Sequence, residues 1–184
     1  MERWLTRHLF GPVTLASPRD EQIQSLLHRY GGALKLYARQ WCNAPEDAIQ
    51  DALYEWVKQK ANPDNLVAWL FTAVRFRALN MSRSDRRRES NHRDATNYRP
   101  LWFEANAHSA WDSEELQHAL QQLESIDREI VIARIWGELT FEQIAELTHT
   151  PLTSVHRLYK NALLHMRRTL DGPKELKNHE YRSS

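Results

Sequence analysis

The residues best suited to chemistry lie on one polar face of a helix predicted to begin near residue 151. Arginine can form two hydrogen bonds to a guanine edge, asparagine can do the same with adenine, and lysine neutralises phosphate charge. On the opposite side, apolar residues from Val155 to Leu170 repeat with helical spacing and would anchor the helix to a core. This pattern predicts a DNA-binding face made of Thr153, His156, Arg157, Lys160 and Asn161.

A shorter helix and a tight corner precede this face. Thr140 and Gln143 have the spacing of a capping box, in which the hydroxyl and the amide each bond a free backbone N–H. The helix that begins there must end before Pro151, because proline disfavours helical geometry at the residue before it. We expect Thr150 to cap the next helix and Pro151 to lie in its first turn. The two helices together form a helix-turn-helix.

Composition limits the other classes of protein. The chain has 184 residues and 41% hydrophobic content, which suits two small cores better than one. Its formal net charge is only +1, so attraction to nucleic acid must come from local clusters of charge. A single cysteine, Cys42, excludes an internal disulfide and suits a reducing compartment. No apolar stretch approaches roughly 20 residues, so we predict a cytoplasmic protein without membrane insertion.

Helical spacing recurs along the rest of the chain, and no stretch alternates as a strand does. Ser17 and Pro18 mark the start of a first helix, and Asn43 is expected to cap a second. A third helix is predicted to run from Leu66 toward a group of arginines, and two more precede the helix-turn-helix. The predicted fold class is therefore all-α.

A polar, irregular segment divides the predicted helices into two groups. It also holds aromatic residues, among them Trp102 and Trp111, which make it more apolar than a purely solvated tether. Its roughly 28 residues would extend to about 90 Å at about 3.3 Å per residue. The predicted organisation is an N-terminal helical domain (1–83), a flexible linker (84–112), a C-terminal helix-turn-helix domain (113–172) and a tail (173–184).

The segment around the corner resembles the helix-turn-helix that ends bacterial sigma factors of the extracytoplasmic-function (ECF) type. His149 stands where that family usually has glycine, so the turn requires a left-handed backbone, which histidine tolerates better than a branched residue does. Thr153 with Ser154, and Arg157 with Leu158, also depart from the family's residues, which leaves the DNA sequence preference open. The residues that keep the family's pattern are Leu139, Thr140, Phe141, Glu142, Ile144, Ala145, Glu146, Pro151 and Val155.

Residues 45–53 also resemble the ECF family, whose corresponding helix docks on the clamp coiled coil of RNA polymerase. Burying the apolar stripe of this helix would turn its acidic side outward, where it complements a basic partner helix. Taken alone, the helix is equally well explained by an ordinary solvated face. The polymerase-binding residues that the resemblance implies are Glu46, Asp47, Gln50, Asp51 and Glu55.

Residues 68–75 are similar to a third family segment, A-W-L-x-x-I-A-R, which leads into the helix that meets the downstream promoter element. The resemblance implies that a base of the non-template strand is extruded from the duplex and captured there. Phe76 stands where the family has asparagine, so one base contact is missing or replaced by stacking. The expected contacts are Asn80 beside the base and, on phosphates, Arg75, Arg77, Arg83 and Arg86.

These features together predict a non-catalytic specificity subunit that binds core RNA polymerase and directs promoter-specific initiation. Core polymerase and promoter DNA are the predicted partners, and an anti-sigma protein is a third partner that the resemblance leaves open. The main alternative is a helix-turn-helix regulator that does not join polymerase, and a protein-interaction adaptor is a more distant one. No cofactor or metal is predicted, because the nine histidines lack metal-ligand spacing and one cysteine cannot build the usual zinc site. Without a phosphate-binding loop or a nucleophile motif, we expect no enzymatic activity.

Overall fold

The computed structural model describes residues 18–91 and 114–171, and these residues form seven α-helices without a strand. The prediction of an all-α fold is confirmed. The tail and most of the predicted linker lie outside the described residues. The helices are α1 (Pro18–Ala38), α2 (Pro45–Lys58), α3 (Leu66–Asn91), α4 (Glu114–Gln121), α5 (Ser125–Ile135), α6 (Phe141–Thr148) and α7 (Leu152–Leu170).

Helices α1, α2 and α3 form the N-terminal half, and each packs against the other two. Trp56 of α2 is fully buried and donates its indole N–H to Asn62 Oδ1 at 3.2 Å. Burial of so large a side chain stabilises the half by roughly 1.5–3 kcal/mol. The prediction that Asn43 caps α2 was wrong by one residue, because Ala44 is the N-cap and makes no side-chain cap bond. Pro45 follows in the first turn, where its missing N–H leaves no lost bond.

Helix α3 is longer than predicted. It continues through the arginine-rich residues to Asn91, so the first part of the segment assigned to the linker is helical. Arginine and glutamate are good helix formers, and a polar sequence can therefore extend a helix that an apolar stripe has begun. The domain division at residue 83 stays a prediction, but it does not coincide with the end of a helix.

Helices α4 to α7 form the C-terminal half. The predicted capping box at the start of α6 is present: Thr140 Oγ1 accepts from the Gln143 N–H at 3.3 Å, and Gln143 Oε1 accepts from the Thr140 N–H at 2.8 Å. His149 ends α6 with a left-handed backbone, φ 54°, as the resemblance implied. The expectation that Thr150 caps α7 and that Pro151 lies in its first turn was wrong by one residue. Pro151 occupies the N-cap position, and its carbonyl accepts from the Ser154 and Val155 N–H groups.

The two halves are in contact rather than apart. Helix α5 packs against α1, and α6 packs against α3, so the buried apolar residues of both halves form one continuous core. At Gly137, which follows α5, a Cβ atom would lie 2.7 Å from Phe71 Cζ of α3. The approach is close enough to require glycine. The sequence predicted two separate modules, and this packing between the halves is the main difference from that prediction.

Candidate nucleic-acid interfaces

The polar face of α7, called the recognition face below, is open to solvent. Val155, Ala162 and Met166 on the other side of the helix are buried against α4, α5 and α6. The apolar stripe thus orients α7 as the spacing predicted. The structure brings together on the exposed side all five predicted DNA-binding residues of this helix, Thr153, His156, Arg157, Lys160 and Asn161.

Aromatic contacts fix α7 against α6. The Phe141 ring lies 4.0 Å from the His156 ring and 5.4 Å from the Tyr159 ring, measured between centroids. Arg134 of α5 places its guanidinium 4.8 Å from the Phe141 centroid and donates to the Leu139 carbonyl at 2.6 Å. His156 is therefore exposed, but its ring is in tilted contact with Phe141, at an interplanar angle of 42°, and this contact restricts its orientation.

The predicted polymerase-binding residues also share one surface, called the acidic face below. Ala48, Ala52 and Trp56 are buried on the opposite side of α2. Lys35 of α1 forms an ion pair with Glu46; partial burial of Glu46 opposes ionisation, but this contact lowers the pKa of the carboxyl overall. The residues exposed on the acidic face are Glu46, Asp47, Gln50, Asp51 and Glu55.

The predicted DNA contacts of α3 do not form a single open surface. Arg75 points to the C-terminal half, where its Nε donates to Glu129 Oε1 at 2.6 Å. Arg77 donates to Glu55 Oε2 at 3.0 Å, so a predicted DNA contact is paired with a predicted polymerase contact. Arg83 and Arg86 are exposed, whereas Asn80 is half-buried.

Phe76 gives α3 an exposed aromatic surface. Its side chain is 58% exposed, which is unusual for so large an apolar group. Asn80 and Arg83 follow at i+4 and i+7 and share its side of the helix. An aromatic ring, an amide and a guanidinium thus lie in a row, which is the combination that binds unpaired bases and their phosphates.

Glu129 is the functional candidate that the sequence reasoning missed. It is 3% exposed, and its Oε1 accepts from Tyr37 OH at 2.6 Å in addition to Arg75. Burial, followed by the adjacent Glu129 charge, raises the pKa of Tyr37 well above its usual value, so the phenol stays protonated and donates. A signal was available in the sequence, because this carboxylate interrupts the apolar stripe between Ile126 and Ala133.

The described residues contain neither a membrane-spanning helix nor a metal-binding cluster. No helix there is both long and apolar enough to cross a bilayer. Within the same two ranges, no three His, Cys, Asp or Glu side chains cluster in a way that would hold a metal ion.

The C-terminal half of the chain is similar to one protein-family model. Residues 113–166 match the family model described as sigma-70, region 4. No curated protein matches the sequence of the chain. The match covers the helix-turn-helix and the helices that support it.

Two solved structures share the fold of the chain. One is the sigma factor RpoE, solved in complex with the anti-sigma factor NepR from Bartonella quintana; it has a TM-score of 0.64 and 22% identity, over 84% of this chain and 99% of that one. The other is CnrH in complex with the cytosolic domain of CnrY, with a TM-score of 0.52 and 18% identity over 86% and 93% of the two chains. Both proteins are under 25% identical to this chain, and the likeness is one of fold.

Proposed function

We propose that this protein is an ECF-type sigma factor that binds core RNA polymerase and directs promoter-specific transcription initiation. The C-terminal half reads the upstream promoter element as duplex, and the N-terminal half holds polymerase and the opened downstream element. The polymerase performs the chemistry, so the protein acts as a non-catalytic subunit in the cytoplasm. The observation that carries the proposal is the exposed recognition face on a capped helix-turn-helix within the region 4 match.

The recognition face suits the major groove. An α-helix fits that groove, and its exposed side chains then reach base edges while the first helix crosses the backbone. Arg157 and Asn161 are one turn apart on α7, so both can face the same groove, and Lys160 lies beside them for a phosphate. Because Val155, Ala162 and Met166 already anchor α7 inside the C-terminal half, the face is free to bind DNA without unfolding.

The acidic face suits polymerase. Five exposed polar residues, four of them carboxylates, cover one side of α2, and the other side is committed to the core. Such a surface steers association with a basic partner helix and fixes its orientation. The residue types match the ECF segment that docks on the polymerase clamp.

The downstream element would meet α3. Unstacking a base costs a few kcal/mol, and stacking on an aromatic ring restores about 1–3 kcal/mol per base. We assign the stacking contact to Phe76, the base-side hydrogen bond to Asn80 and phosphate contacts to Arg83 and Arg86. Arg75 and Arg77 would join them once their carboxylate partners are exchanged for phosphates.

An anti-sigma protein is the third proposed partner. RpoE was solved with the anti-sigma factor NepR, and CnrH with the cytosolic domain of CnrY. The chain aligns with nearly the full length of both proteins, so the surfaces that such a partner would cover have counterparts in this fold.

Reconstitution with core polymerase tests the proposed function. The protein should confer initiation at specific promoters, which can be identified by sequencing transcripts made in vitro from genomic DNA. Asp51→Lys should weaken polymerase association, whereas the same charge change at exposed Asp64, in the turn before α3, should not. If the protein binds duplex DNA but gives no initiation with polymerase, it is instead a helix-turn-helix regulator.

A further inference from the structure

One aromatic ring lies behind the recognition face and contacts it. Phe141 is the first residue of α6 and is half-buried. Its ring centroid lies 4.0 Å from that of His156 on α7, and the guanidinium of Arg134 on α5 lies 4.8 Å from the same centroid. We call these three residues the Phe141 cluster. It joins the recognition face to the two helices that precede α7.

The backbone holds the Phe141 cluster in place. Arg134 donates from Nη1 to the Leu139 carbonyl at 2.6 Å, and a cation over an aromatic face is attracted by the ring. Thr140, directly before Phe141, caps α6 through the capping box. The Tyr159 ring meets Phe141 edge-on, at an interplanar angle of 69°. Phe141 is therefore a fixed support for the imidazole of His156.

This support makes His156 different from the long side chains of the recognition face. Arg157 and Lys160 are exposed, and flexible side chains of this kind lose conformational entropy when a ligand fixes them. His156 has fewer torsions, and the contact with Phe141 already restricts them. Its ring nitrogens are thus presented in a narrow range of directions, so less entropy is lost when they bind.

A base edge suits this imidazole better than a phosphate does. Glu142 is exposed beside the Phe141 cluster, and its own backbone N–H and the Thr140 hydroxyl lower the pKa of its carboxyl, with a further contribution from His156 and Arg134. An ionised carboxylate near the imidazole repels phosphate. A neutral imidazole carries one N–H donor, and the N7 atom of both purines is an acceptor in the major groove. The arrangement therefore favours donation from His156 to a purine.

We propose that Phe141 is a positioning residue for promoter recognition. It holds His156 so that the imidazole donates to N7 of a purine, and one base pair of the upstream element is specified in this way. This inference rests on the proposed function, because it deepens the reading of the upstream element by α7. Phe141 acts through His156 and makes no DNA contact of its own.

Nuclear magnetic resonance tests the ring contact in the free protein. The ring current of Phe141 should shift the imidazole resonances of His156, which are assigned by their loss in His156→Ala. Phe141→Leu should move these resonances, and Phe141→Tyr, which keeps an aromatic ring, should leave them in place. The resonances of His118, an exposed histidine on α4, should not change in either variant. If Phe141→Leu leaves the His156 resonances unmoved, the two rings are not in contact and the proposal fails.

Purines that lack N7 test the base contact. The probe is a duplex that the full wild-type chain selects from a random library, with each purine replaced in turn by its 7-deaza analogue. At one position the replacement should lower wild-type affinity about fivefold, because one hydrogen bond is lost. His156→Ala should bind both duplexes equally at that position, and His118→Ala should keep the wild-type difference. A library without a preferred duplex, or a selected duplex without such a position, would overturn the proposal.

Phe141→Leu separates positioning from folding. It should reduce the 7-deaza effect to about twofold, because the imidazole loses its restraint. The dependence of affinity on salt, which reports phosphate contacts, should not change. Phe141→Tyr should restore the full effect, and in the His156→Ala background Phe141→Leu should change nothing at that position. Loss of affinity at every position with an altered salt dependence would make Phe141 a structural residue and overturn the proposal.

Initiation with core polymerase decides the proposed function separately. If the protein shows the expected 7-deaza pattern but gives no initiation, the proposed function fails and the positioning role of Phe141 stands. If the protein initiates at specific promoters and Phe141→Leu leaves the 7-deaza effect at its wild-type size, the proposed function stands and this inference fails.

Discussion

The two candidate DNA-binding surfaces, on α7 and α3, differ in whether their basic side chains are already engaged in ion pairs. On α7, Arg157 and Lys160 are exposed, and neither has an ion pair with another residue of the described ranges. On α3, Arg75 is held by Glu129 and Arg77 by Glu55. The recognition face needs no rearrangement to meet a duplex, whereas α3 must first exchange two carboxylates for phosphates.

This difference matches the order of events in the proposed function. Duplex DNA is present from the start, but an unpaired strand exists only after the duplex opens. A surface whose cations are occupied avoids binding duplex phosphates non-specifically, because phosphate contacts alone supply most non-specific affinity. Holding two of the four predicted α3 arginines, Arg75 and Arg77, in ion pairs thus favours the upstream element as the first site of contact.

The largest effect on stability is expected where Gly137 packs against Phe71 of α3. In Gly137→Ala, the new Cβ would lie 2.6 Å from the Ala133 carbonyl oxygen and 2.7 Å from Phe71, and the backbone oxygen cannot move aside. We expect the free energy of unfolding to fall by about 3 kcal/mol, the upper end for an overpacked core. Urea denaturation measures this change.

Gly31→Ala is the matched control. Its Cβ would meet only Leu27, at 3.9 Å, and it lies inside α1, so alanine should stabilise the protein by about 0.5–1 kcal/mol. Phe71→Leu should relieve part of the Gly137→Ala loss if the halves pack in solution. Strict additivity of the two substitutions would indicate that the halves are separate.

The recognition face should show the next largest effect. Arg157→Ala should weaken binding to the upstream element by about 2 kcal/mol, since a bidentate base contact is worth about 1–3 kcal/mol, and should leave polymerase association unchanged. Fluorescence anisotropy with a short duplex measures the first quantity. Arg167→Ala, further along α7 and paired with Asp171, is the control. Equal losses of DNA and polymerase binding in Arg157→Ala would mean that Arg157 has a structural role.

A smaller effect is expected for stacking on α3. Phe76→Ala should reduce the affinity for a single strand of the downstream element by about 1.5 kcal/mol, and Phe76→Trp should retain it. Tyr54→Ala, which removes another exposed aromatic ring from α2, serves as control. A 2-aminopurine at the extruded position reports stacking directly. Unchanged fluorescence quenching in Phe76→Ala would place the base elsewhere.

The sequence predicted the two surfaces unequally, for a physical reason. The recognition face follows from local rules: a cap at Thr140, a break at Pro151 and a stripe beginning at Val155 determine which side of α7 is exposed. The state of Arg75 depends on Glu129, which lies 54 residues further along the chain. Glu129 in turn binds Tyr37, which is 92 residues away from it. Helical periodicity describes neighbours within a few turns, so it cannot reveal contacts between residues that are so far apart in the sequence.

The end of α3 shows a second limit of the sequence. The polar run after residue 83 has good helix-forming residues but no apolar stripe, so its composition does not distinguish a linker from an exposed helix. The N-caps of α2 and α7 show a third limit of the sequence. Ala44 and Pro151 occupy these positions, each one residue after the side chain predicted to cap the helix, Asn43 or Thr150. Neither Ala44 nor Pro151 makes a side-chain capping hydrogen bond, so no capping motif in the sequence marks these helix starts.

The capping box tests how independent the recognition face is. Thr140→Ala should lower the free energy of unfolding by about 1 kcal/mol, because one helix N–H loses its acceptor. Thr72→Ala is a matched control, since the Thr72 hydroxyl bonds the Ala68 carbonyl within α3 and caps nothing. If the face is preformed, Thr140→Ala should weaken duplex binding by less than it weakens folding. A larger loss of DNA affinity would show that α6 itself positions the contacts.

The smallest expected effect separates the two ion pairs of α3. Arg77 and Glu55 are 34% and 50% exposed, so their coupling in a double-mutant cycle should be about 0.5 kcal/mol and should decrease at high salt. The Arg75–Glu129 coupling should be several times larger and insensitive to salt, because the Glu129 carboxylate is buried. Arg77 would then exchange its partner for a phosphate readily, whereas Arg75 would be released only when the halves separate. If the two ion pairs had equal coupling energies at low and at high salt, Arg75 would be no more strongly held than Arg77. Helix α3 would then be as available for DNA as the recognition face.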